Sequence, residues 1–410
     1  MQYRTLGTVD FRPSILGFGA MRLPELAAGV PTPEGPYGRI DVATANAMLL
    51  RAVEAGVDYV DTAYPYHGGA SEPWLGQALR FVAAELFGPG DDGLARLRER
   101  LKVATKLPMW MVKSRADCER YFSEQLERLQ LDSVDFYLLH GLKEGSVQQL
   151  HECDVLGWAE EAMAAGRIGH LGFSFHDQLP FFREIVDATG LWEFCQIQYN
   201  FMDEEYQAGT AGLEYAAAKG LGVIVMEPLR GGRLARRPPE AVAALWAAAN
   251  ARREAGGEPP WTPVEWALQW VWDHPDVAFL LSGMSDSEQL EQNLAIAERA
   301  AAPGSLGEAD LAVYREVKQA YVASSPIDCT QCRYCLPCPQ GVGIPELFGM
   351  YNDSVIYGTG APGMRISYGW FPDDKKAELC TACHECEALC PQQIGIADWM
   401  EKICDYVAED

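Results

Sequence analysis

The chain has 410 residues, of which 48% are hydrophobic, so it can bury a large core and is long enough for one large domain and a small one. Its 58 acidic and 33 basic residues give a net charge of −25, which argues against nucleic acid and anionic membrane surfaces as partners. The sequence shows neither a signal peptide nor an apolar run of the roughly 18 residues that span a membrane. We therefore expect a soluble, cytoplasmic protein with no nucleic-acid and no membrane partner.

Short apolar runs alternate with amphipathic stretches from the N-terminus to about residue 300, which is typical of repeated βα units around a parallel sheet. Eight strands are predicted, at residues 14–20, 58–63, 102–107, 134–140, 170–175, 194–200, 222–228 and 277–283. Parallel strands that are buried on both faces read as continuous apolar runs, and eight of them favour a closed (β/α)8 TIM barrel over an open sheet. Gly17-Phe18-Gly19 lacks the third glycine of a Rossmann turn, which agrees with this choice.

Two further segments mark the organisation of the chain. Residues 80–101, with the turn signal Gly88-Pro89-Gly90, are expected to form an extended surface connection. A predicted helix at 306–323 leads to Ser324-Ser325-Pro326, after which cysteine, proline and glycine dominate. We therefore predict a barrel over residues 1–305, a connecting helix and linker over 306–325, and a second domain over 326–410.

Eight of the twelve cysteines form two tight runs in this second domain. Each run places three cysteines two residues apart, followed by a fourth that precedes a proline. In two-cluster ferredoxins that fourth cysteine binds the other cluster. One [4Fe-4S] cluster is then assigned to Cys329, Cys332, Cys335 and Cys390, and the second to Cys380, Cys383, Cys386 and Cys338. The pattern predicts a small, mainly helical, ferredoxin-like iron–sulfur domain.

Three alternatives to this assignment stay open. The first run has two residues instead of three before Cys338, so a single cluster is the fallback. Zinc also binds four cysteines, although its sites usually pair two separated knuckles. The clusters could also be structural and take no part in redox chemistry. The remaining cysteines are expected to be packed core thiols: Cys118, Cys153, Cys195 and Cys404.

Polar side chains lie at the ends of three consecutive predicted strands. Asp61, Lys106 and His140 are placed near the ends of the second, third and fourth strands, and Tyr66 follows Asp61 by five residues. Barrel enzymes carry their reactive residues at the carboxyl ends of the strands. We therefore predict that these four side chains converge in a catalytic site.

The segments that carry these residues resemble the aldo-keto reductases. They read DTAYPYHGGASE (61–72), ATKLP (104–108), LLHG (138–141) and LGFSF (171–175), and the resemblance spans roughly residues 1–300. With its cysteine-rich tail, the whole chain resembles the branch of that family that carries a C-terminal 4Fe-4S domain. The resemblance implies an oxidoreductase that acts on a small carbonyl or alcohol substrate with hydride from a nicotinamide.

In that chemistry Tyr66 is implied to protonate the substrate oxygen. Lys106 would lower the pKa of the phenol toward neutrality, and Asp61 would keep the lysine charged. His140 would orient and polarise the carbonyl. A barrel that keeps these four residues without reductase activity is the alternative.

The resemblance implies NADP or NAD as cofactor, with Ser174 and Gln196 on the carboxamide and Asn293 on the adenine. Many members place an aromatic residue where Met226 stands. Many also bind the NADP 2′-phosphate with lysine and arginine at the positions of Gly283 and Gln289, so a preference for NADP is not implied.

A glycine-rich turn with four arginines, EPLRGGRLARR, occupies residues 227–237. Arg230, Gly231 and Gly232 are predicted to bind the pyrophosphate or a flavin phosphate, and a solvated loop is the alternative. A flavin is considered because hydride transfer moves two electrons and a cubane moves one. Two further readings stay open: a flavin-assisted reductase, and an electron-carrier subunit that uses the barrel as a scaffold for a redox protein partner.

Overall fold

The computed structural model of the chain describes residues 1–27, 30–32, 35–329, 333–390 and 392–408. The chain divides into two compact units, formed by Met1–Gly231 with Val264–Leu306 and by Gly232–Pro263 with Gly307–Asp410. Residues 232–263 therefore belong to the second unit, although they lie within the predicted barrel range. None of the helices in these ranges is both long and apolar enough to cross a membrane.

The first unit is built around eight parallel strands that close into a barrel, each paired with its neighbours in sequence and β1 paired with β8. The predicted (β/α)8 barrel is confirmed, and every predicted strand overlaps an observed one. The strands are β1 Leu16–Gly19, β2 Tyr59–Asp61, β3 Lys102–Leu107, β4 Val134–Leu142, β5 Ile168–Phe175, β6 Phe194–Gln198, β7 Gly222–Met226 and β8 Val277–Gly283.

Helices separate these strands and continue into the second unit. In chain order they are α1 Val42–Glu54, α2 Ser71–Phe87, α3 Asp91–Arg100, α4 Arg115–Leu129, α5 Ser146–Glu152, α6 Val155–Ala164, α7 Leu179–Asp187, α8 Gly209–Ala218, α9 Glu240–Ala255, α10 Pro263–Asp273, α11 Ser287–Glu298, α12 Glu308–Ala323, α13 Ile344–Ile356, α14 Gly360–Gly369, α15 Glu385–Ala388 and α16 Ile396–Ala408.

The expectation of an extended connection at residues 80–101 is wrong. Helix α2 runs on to Phe87, and α3 begins at Asp91, so only the Gly-Pro-Gly segment at 88–90 forms a turn. The predicted turn is present. The residues on either side of it are mainly alanine, leucine and arginine, which are good helix formers and continue the helices.

The interior of the barrel is filled in layers. Side chains alternate along a strand, so the same face of each strand points inward every second residue. Tyr59, Phe136, Phe194 and Phe279 form a buried cluster on these inward positions. Asp61 follows Tyr59 at the next inward position, Lys106 follows Ala104, and Gln196 follows Phe194. The polar residues therefore sit directly above an apolar layer, toward the carboxyl ends of the strands.

The second unit is mainly helical, as expected. Its core combines apolar side chains of α13, α14 and α16, such as Leu347, Phe348, Met364, Met400 and Ile403. Seven of the described cysteines from the tail are packed around this core: Cys329, Cys335, Cys338, Cys380, Cys386, Cys390 and Cys404. The cysteine segments are therefore anchored on one small hydrophobic core.

Candidate active site and cysteine clusters

Lys106 lies at the centre of the polar group in the barrel. Its ammonium donates to Asp61 Oδ1 at 2.7 Å, to the carbonyl oxygen of Thr62 at 2.8 Å and to the Tyr66 hydroxyl at 3.1 Å. The lysine is fully buried, and Asp61 is only 3% exposed. The sequence prediction that these three residues converge agrees with this geometry, because β2 and β3 are neighbours and Tyr66 begins the turn after β2.

The buried ion pair controls the charges of the site. Burial acts to lower the pKa of Lys106, but the nearby Asp61 and Tyr66 outweigh it, so the pKa is raised and the ammonium stays charged. For Asp61 burial raises the pKa, and Lys106 opposes this shift. Asp61 Oδ2 has no hydrogen-bond partner among the described residues. The carboxylate therefore depends on Lys106.

The pKa of Tyr66 differs from the expectation. Burial disfavours the phenolate more than Lys106 favours it, so the pKa of Tyr66 is raised above its usual value of 10.0. The predicted shift toward neutrality is not what this arrangement produces. Tyr66 consequently carries its proton throughout the neutral pH range.

His140 completes the group. Its ring lies edge-on to the ring of Tyr66, with centroids 6.0 Å apart, and 5.1 Å from the ring of Trp110. Burial, and then the charge of Lys106, lower the pKa of His140 well below 6.5, so the imidazole is neutral. Its Nδ1 is buried without a partner in the described parts of the chain. A neutral histidine can donate one hydrogen bond and accept another.

A buried polar network lies on the outer face of β3, directly behind the lysine. Gln125 of α4 donates to the carbonyl oxygen of Lys106 at 2.9 Å and to Glu72 Oε1 at 2.6 Å. The Thr105 hydroxyl donates to the same carboxylate oxygen at 2.6 Å, and Arg128 contacts the other at 3.3 Å. Sequence reasoning missed this network. The only available signal was that Thr105, a polar residue in a buried strand, needs a partner on the helix side.

The turn that begins at Tyr66 is held by His67. Its Nε2 accepts the backbone N–H of Leu23 at 3.1 Å, and its Nδ1 lies 3.2 Å from Glu25 Oε1. His67 adopts a left-handed backbone conformation, with φ of 53°, which is uncommon for a residue with a side chain. The segment after β1 therefore fixes the turn that carries the tyrosine.

Ser174 and Gln196 lie opposite each other on the paired strands β5 and β6. Both are buried, and the Ser174 hydroxyl accepts the backbone N–H of Gly141 at 2.8 Å. The amide nitrogen of Gln196 lies 3.6 Å from the Met226 sulfur, whereas its oxygen is a buried acceptor without a partner in the described residues. A carboxamide has a carbonyl oxygen that accepts and an amino group that donates hydrogen bonds. The Ser174 hydroxyl can donate to the first, and the free oxygen of Gln196 can accept from the second.

The other predicted cofactor residues are engaged within the protein. Arg230 is paired with Asp203 at 3.1 Å, and Gly231 and Gly232 have φ of 66° and 89°. Asn293 is buried, and its amide donates to the Ser282 hydroxyl at 2.7 Å. Within the described residues, no hydrogen bond or ion pair joins Arg230, Gly231, Gly232 or Asn293 to Tyr66, and their cofactor roles stay predictions.

Two cysteines of the first run lie close to one cysteine of the second run, which agrees with one half of the predicted crossed arrangement. Cys329 and Cys335 of the first run and Cys390 of the second line one small cavity. Its other walls are mostly apolar and include Ile344 and Phe348. Cys332, the fourth member of this predicted set, lies outside the described residues.

The second predicted set is also close together. Cys338 of the first run and Cys380 of the second both raise the pKa of Cys386, after the larger effect of its burial, so the three thiols are near enough to interact. Cys383 is exposed on the same loop. Ala382 and His384 flank it with left-handed backbone, at φ of 52° and 58°.

The donor chemistry of both sets fits iron–sulfur clusters, because thiolates are their usual ligands. Within the described ranges, no three histidine, cysteine or acidic side chains converge closely enough to hold a single metal ion. A cubane does not require such convergence, since each thiolate binds a different iron atom.

Comparisons with known proteins agree with both units. The profile described as the aldo/keto reductase family matches residues 16–305, and that of the 4Fe-4S dicluster domain matches residues 328–394. L-galactose dehydrogenase from Arabidopsis thaliana is 27% identical over 315 residues, which cover 72% of this chain and 88% of that protein.

Two solved structures share the barrel fold. An aldo-keto reductase from Bacillus halodurans in its holo form superposes with a TM-score of 0.57 at 24% identity, covering 77% of this chain and 96% of that one. An aldo-keto reductase from Klebsiella pneumoniae in complex with NADPH has a TM-score of 0.57 at 23% identity, covering 78% and 96%. At these identities the likeness concerns the fold alone.

Proposed function

The chain belongs to the aldo/keto reductase family, with a 4Fe-4S dicluster domain at its C-terminus, and we propose that it interconverts a small carbonyl compound and its alcohol with Tyr66 as proton donor. The observation that carries the proposal is the 3.1 Å hydrogen bond from the buried ammonium of Lys106 to the Tyr66 hydroxyl. A phenol next to a fixed positive charge can give up a proton at lower cost than a phenol next to neutral groups.

Each residue has a distinct part in the proton transfer. Tyr66 holds its proton at neutral pH, because its pKa is raised by burial, and donates that proton to the substrate oxygen during reduction. Lys106 stabilises the phenolate that forms, and Asp61 keeps the lysine in place. In the oxidation direction the phenolate accepts the proton from the alcohol.

His140 is proposed to orient the substrate. A neutral imidazole donates a hydrogen bond to a carbonyl oxygen without competing with Tyr66 as the acid. The lowered pKa of His140 supports this role, since an imidazolium beside Lys106 would be disfavoured by like charge.

A nicotinamide cofactor, NAD or NADP, supplies or accepts the hydride when it is bound. Ser174 and Gln196 would hold its carboxamide, with the serine hydroxyl as donor and the unpaired glutamine oxygen as acceptor. The reductase from Klebsiella pneumoniae that shares the fold binds NADPH, which supports a nicotinamide here.

Two [4Fe-4S] clusters are proposed for the second unit, where they would supply single-electron transfer to a redox partner or a second cofactor. Cys329, Cys335 and Cys390 would bind the first, together with Cys332. Cys338, Cys380 and Cys386 would bind the second, together with Cys383. The shared cavity and the interacting thiols described above support this division.

The enzymatic proposal is tested by removing one hydroxyl. Tyr66→Phe should abolish carbonyl reduction by anaerobically purified protein while its visible cluster absorbance stays unchanged. Tyr64→Phe is the matched control, because the Tyr64 hydroxyl faces Glu124 at 2.9 Å and takes no part in the site. Full activity in Tyr66→Phe would refute the proton-donor role.

The double cysteine motif also supports a second function, an electron-carrier subunit whose acidic chain binds a basic redox protein. Protein that reduced no carbonyl with either nicotinamide, yet accepted electrons from a ferredoxin reductase, would favour this function. Iron and sulfide analysis of the same sample should give about eight irons per chain for two clusters. Flavin absorbance would instead favour the flavin-assisted variant.

A further inference from the structure

We propose that Arg22 binds a phosphate group of the dinucleotide at the rim of the barrel. The inference rests on the proposed nicotinamide-dependent function. It identifies a positively charged side chain that would bind the cofactor of that function. Arg22 ends the short 3-10 turn Ala20–Arg22 that follows β1. It therefore lies at the carboxyl end of the strands, on the same side of the barrel as Lys106.

The stem of Arg22 crosses the end of β8. Gly19 of β1 pairs with Gly283, the last residue of β8. A Cβ atom added to Gly283 would lie 3.2 Å from Arg22 Cβ and 3.3 Å from both Cγ and Cδ. Contacts this short are tighter than ordinary packing, so the missing side chain at Gly283 leaves the space that the arginine uses.

The guanidinium reaches the loop that follows β7. A Cβ atom added to Gly231 would lie 3.3 Å from Arg22 Nη2. Arg22 is exposed, and it forms no hydrogen bond or ion pair with any residue of the described ranges. Its planar group therefore presents donors to solvent at the junction of three loops, those after β1, β7 and β8. Phosphate sites of (β/α)8 barrels are frequently formed by the loops after the seventh and eighth strands.

The loop after β8 lacks a cation of its own. Gly283 has no side chain, and the Gln289 amide is occupied with Asp286 at 2.7 Å and with the Ser285 N–H at 2.9 Å. In a chain of net charge −25, a polyanionic cofactor needs local positive charge. Arginine suits phosphate because its fork of N–H donors can bind two oxygens at once.

The test measures nucleotide binding without turnover. Isothermal titration of the anaerobic holoprotein with NAD⁺ and NADP⁺ is compared between wild type and Arg22→Gln. Loss of one charge-assisted contact should weaken binding roughly ten- to hundred-fold. Arg12→Gln is the matched control, because this exposed arginine precedes β1 at the opposite end of the barrel and should leave both affinities unchanged.

The two nucleotides distinguish the sources of the phosphate. Equal weakening for both would place Arg22 on the pyrophosphate, and weakening for NADP⁺ alone would place it on the 2′-phosphate. Either result supports the proposal. Unchanged affinities in Arg22→Gln would overturn the inference alone. Wild-type protein that binds neither nucleotide would overturn it together with the nicotinamide proposal.

Discussion

Replacing Lys106 by methionine should destabilise the barrel in a pH-dependent way. The substitution removes the ammonium that lies 2.7 Å from Asp61 Oδ1, while Oδ2 already lacks a partner in the described residues. A carboxylate that is 3% exposed is then left without a counter-charge. Breaking a buried ion pair by removing one partner typically costs about 3–5 kcal/mol.

The sign of the pH dependence follows from the direction of the shift. Burial raises the pKa of Asp61, and the loss of Lys106 removes the charge that opposes this shift. A carboxyl group whose folded pKa is raised is tolerated when protonated and becomes costly as the pH rises through that pKa. The penalty in Lys106→Met should therefore be smallest at pH 5.5 and approach about 3–5 kcal/mol at pH 8.5.

The assay is urea unfolding at the two pH values, with Asp61→Asn/Lys106→Met as the control. The double variant has no buried charge at this point, so its unfolding midpoint should lie well above that of Lys106→Met at pH 8.5. If the two variants unfolded at the same urea concentration there, the carboxylate would not depend on the lysine, and the account of the ion pair would be wrong.

Two other changes test the structure. Burial raises the pKa of Asp58 to about 6, against hydrogen bonds from Ser14 that lower it. Because the pKa is raised in the folded state, the free energy of unfolding falls as the pH rises through about 6. The loss is on the order of 2–3 kcal/mol. Asp58→Asn should lose less stability than wild type between pH 4.5 and 7, and parallel urea midpoints across that range would contradict this. For the clusters, Cys329→Ser/Cys390→Ser should retain about four irons per chain, because both residues serve one cluster, whereas Cys329→Ser/Cys338→Ser should retain almost none. Equal iron contents in the two double variants would refute the crossed arrangement.

The convergence of polar residues around Lys106 could be predicted from the sequence because it follows strand periodicity. Asp61, Lys106 and His140 stand at inward positions of successive strands, and successive strands of a barrel are neighbours in space. The proximity of Cys390 to Cys329 and Cys335 was likewise predictable, because the crossed assignment depends on local spacing and an internal repeat. Both patterns are properties of short segments, which a single sequence displays directly.

Other features left no such pattern in the sequence, and most of them depend on contacts between distant segments. The predicted seventh strand included Glu227, which has a left-handed φ of 54°, so β7 ends at Met226. The network of Gln125 and Glu72 joins two helices to β3 across gaps of 19 and 33 residues. The grouping of residues 232–263 with the second unit also depends on long-range packing that the βα pattern does not encode.

The raised pKa of Tyr66 and the lowered pKa of His140 fit the proposed role of Tyr66 as proton donor over a wide pH range. Between the ordinary values of 6.5 for histidine and 10.0 for tyrosine, both side chains stay neutral, so a change in pH alters neither group. The fixed charge of Lys106 acts differently on the two groups: it helps to keep His140 neutral by disfavouring imidazolium, and it opposes the effect of burial on Tyr66 by favouring phenolate. Burial keeps the phenol protonated before the reaction, whereas the lysine lowers the cost of the phenolate that the reaction forms. A raised pKa in the free protein is therefore compatible with catalysis by Tyr66, because the proton must be held until the substrate oxygen accepts it.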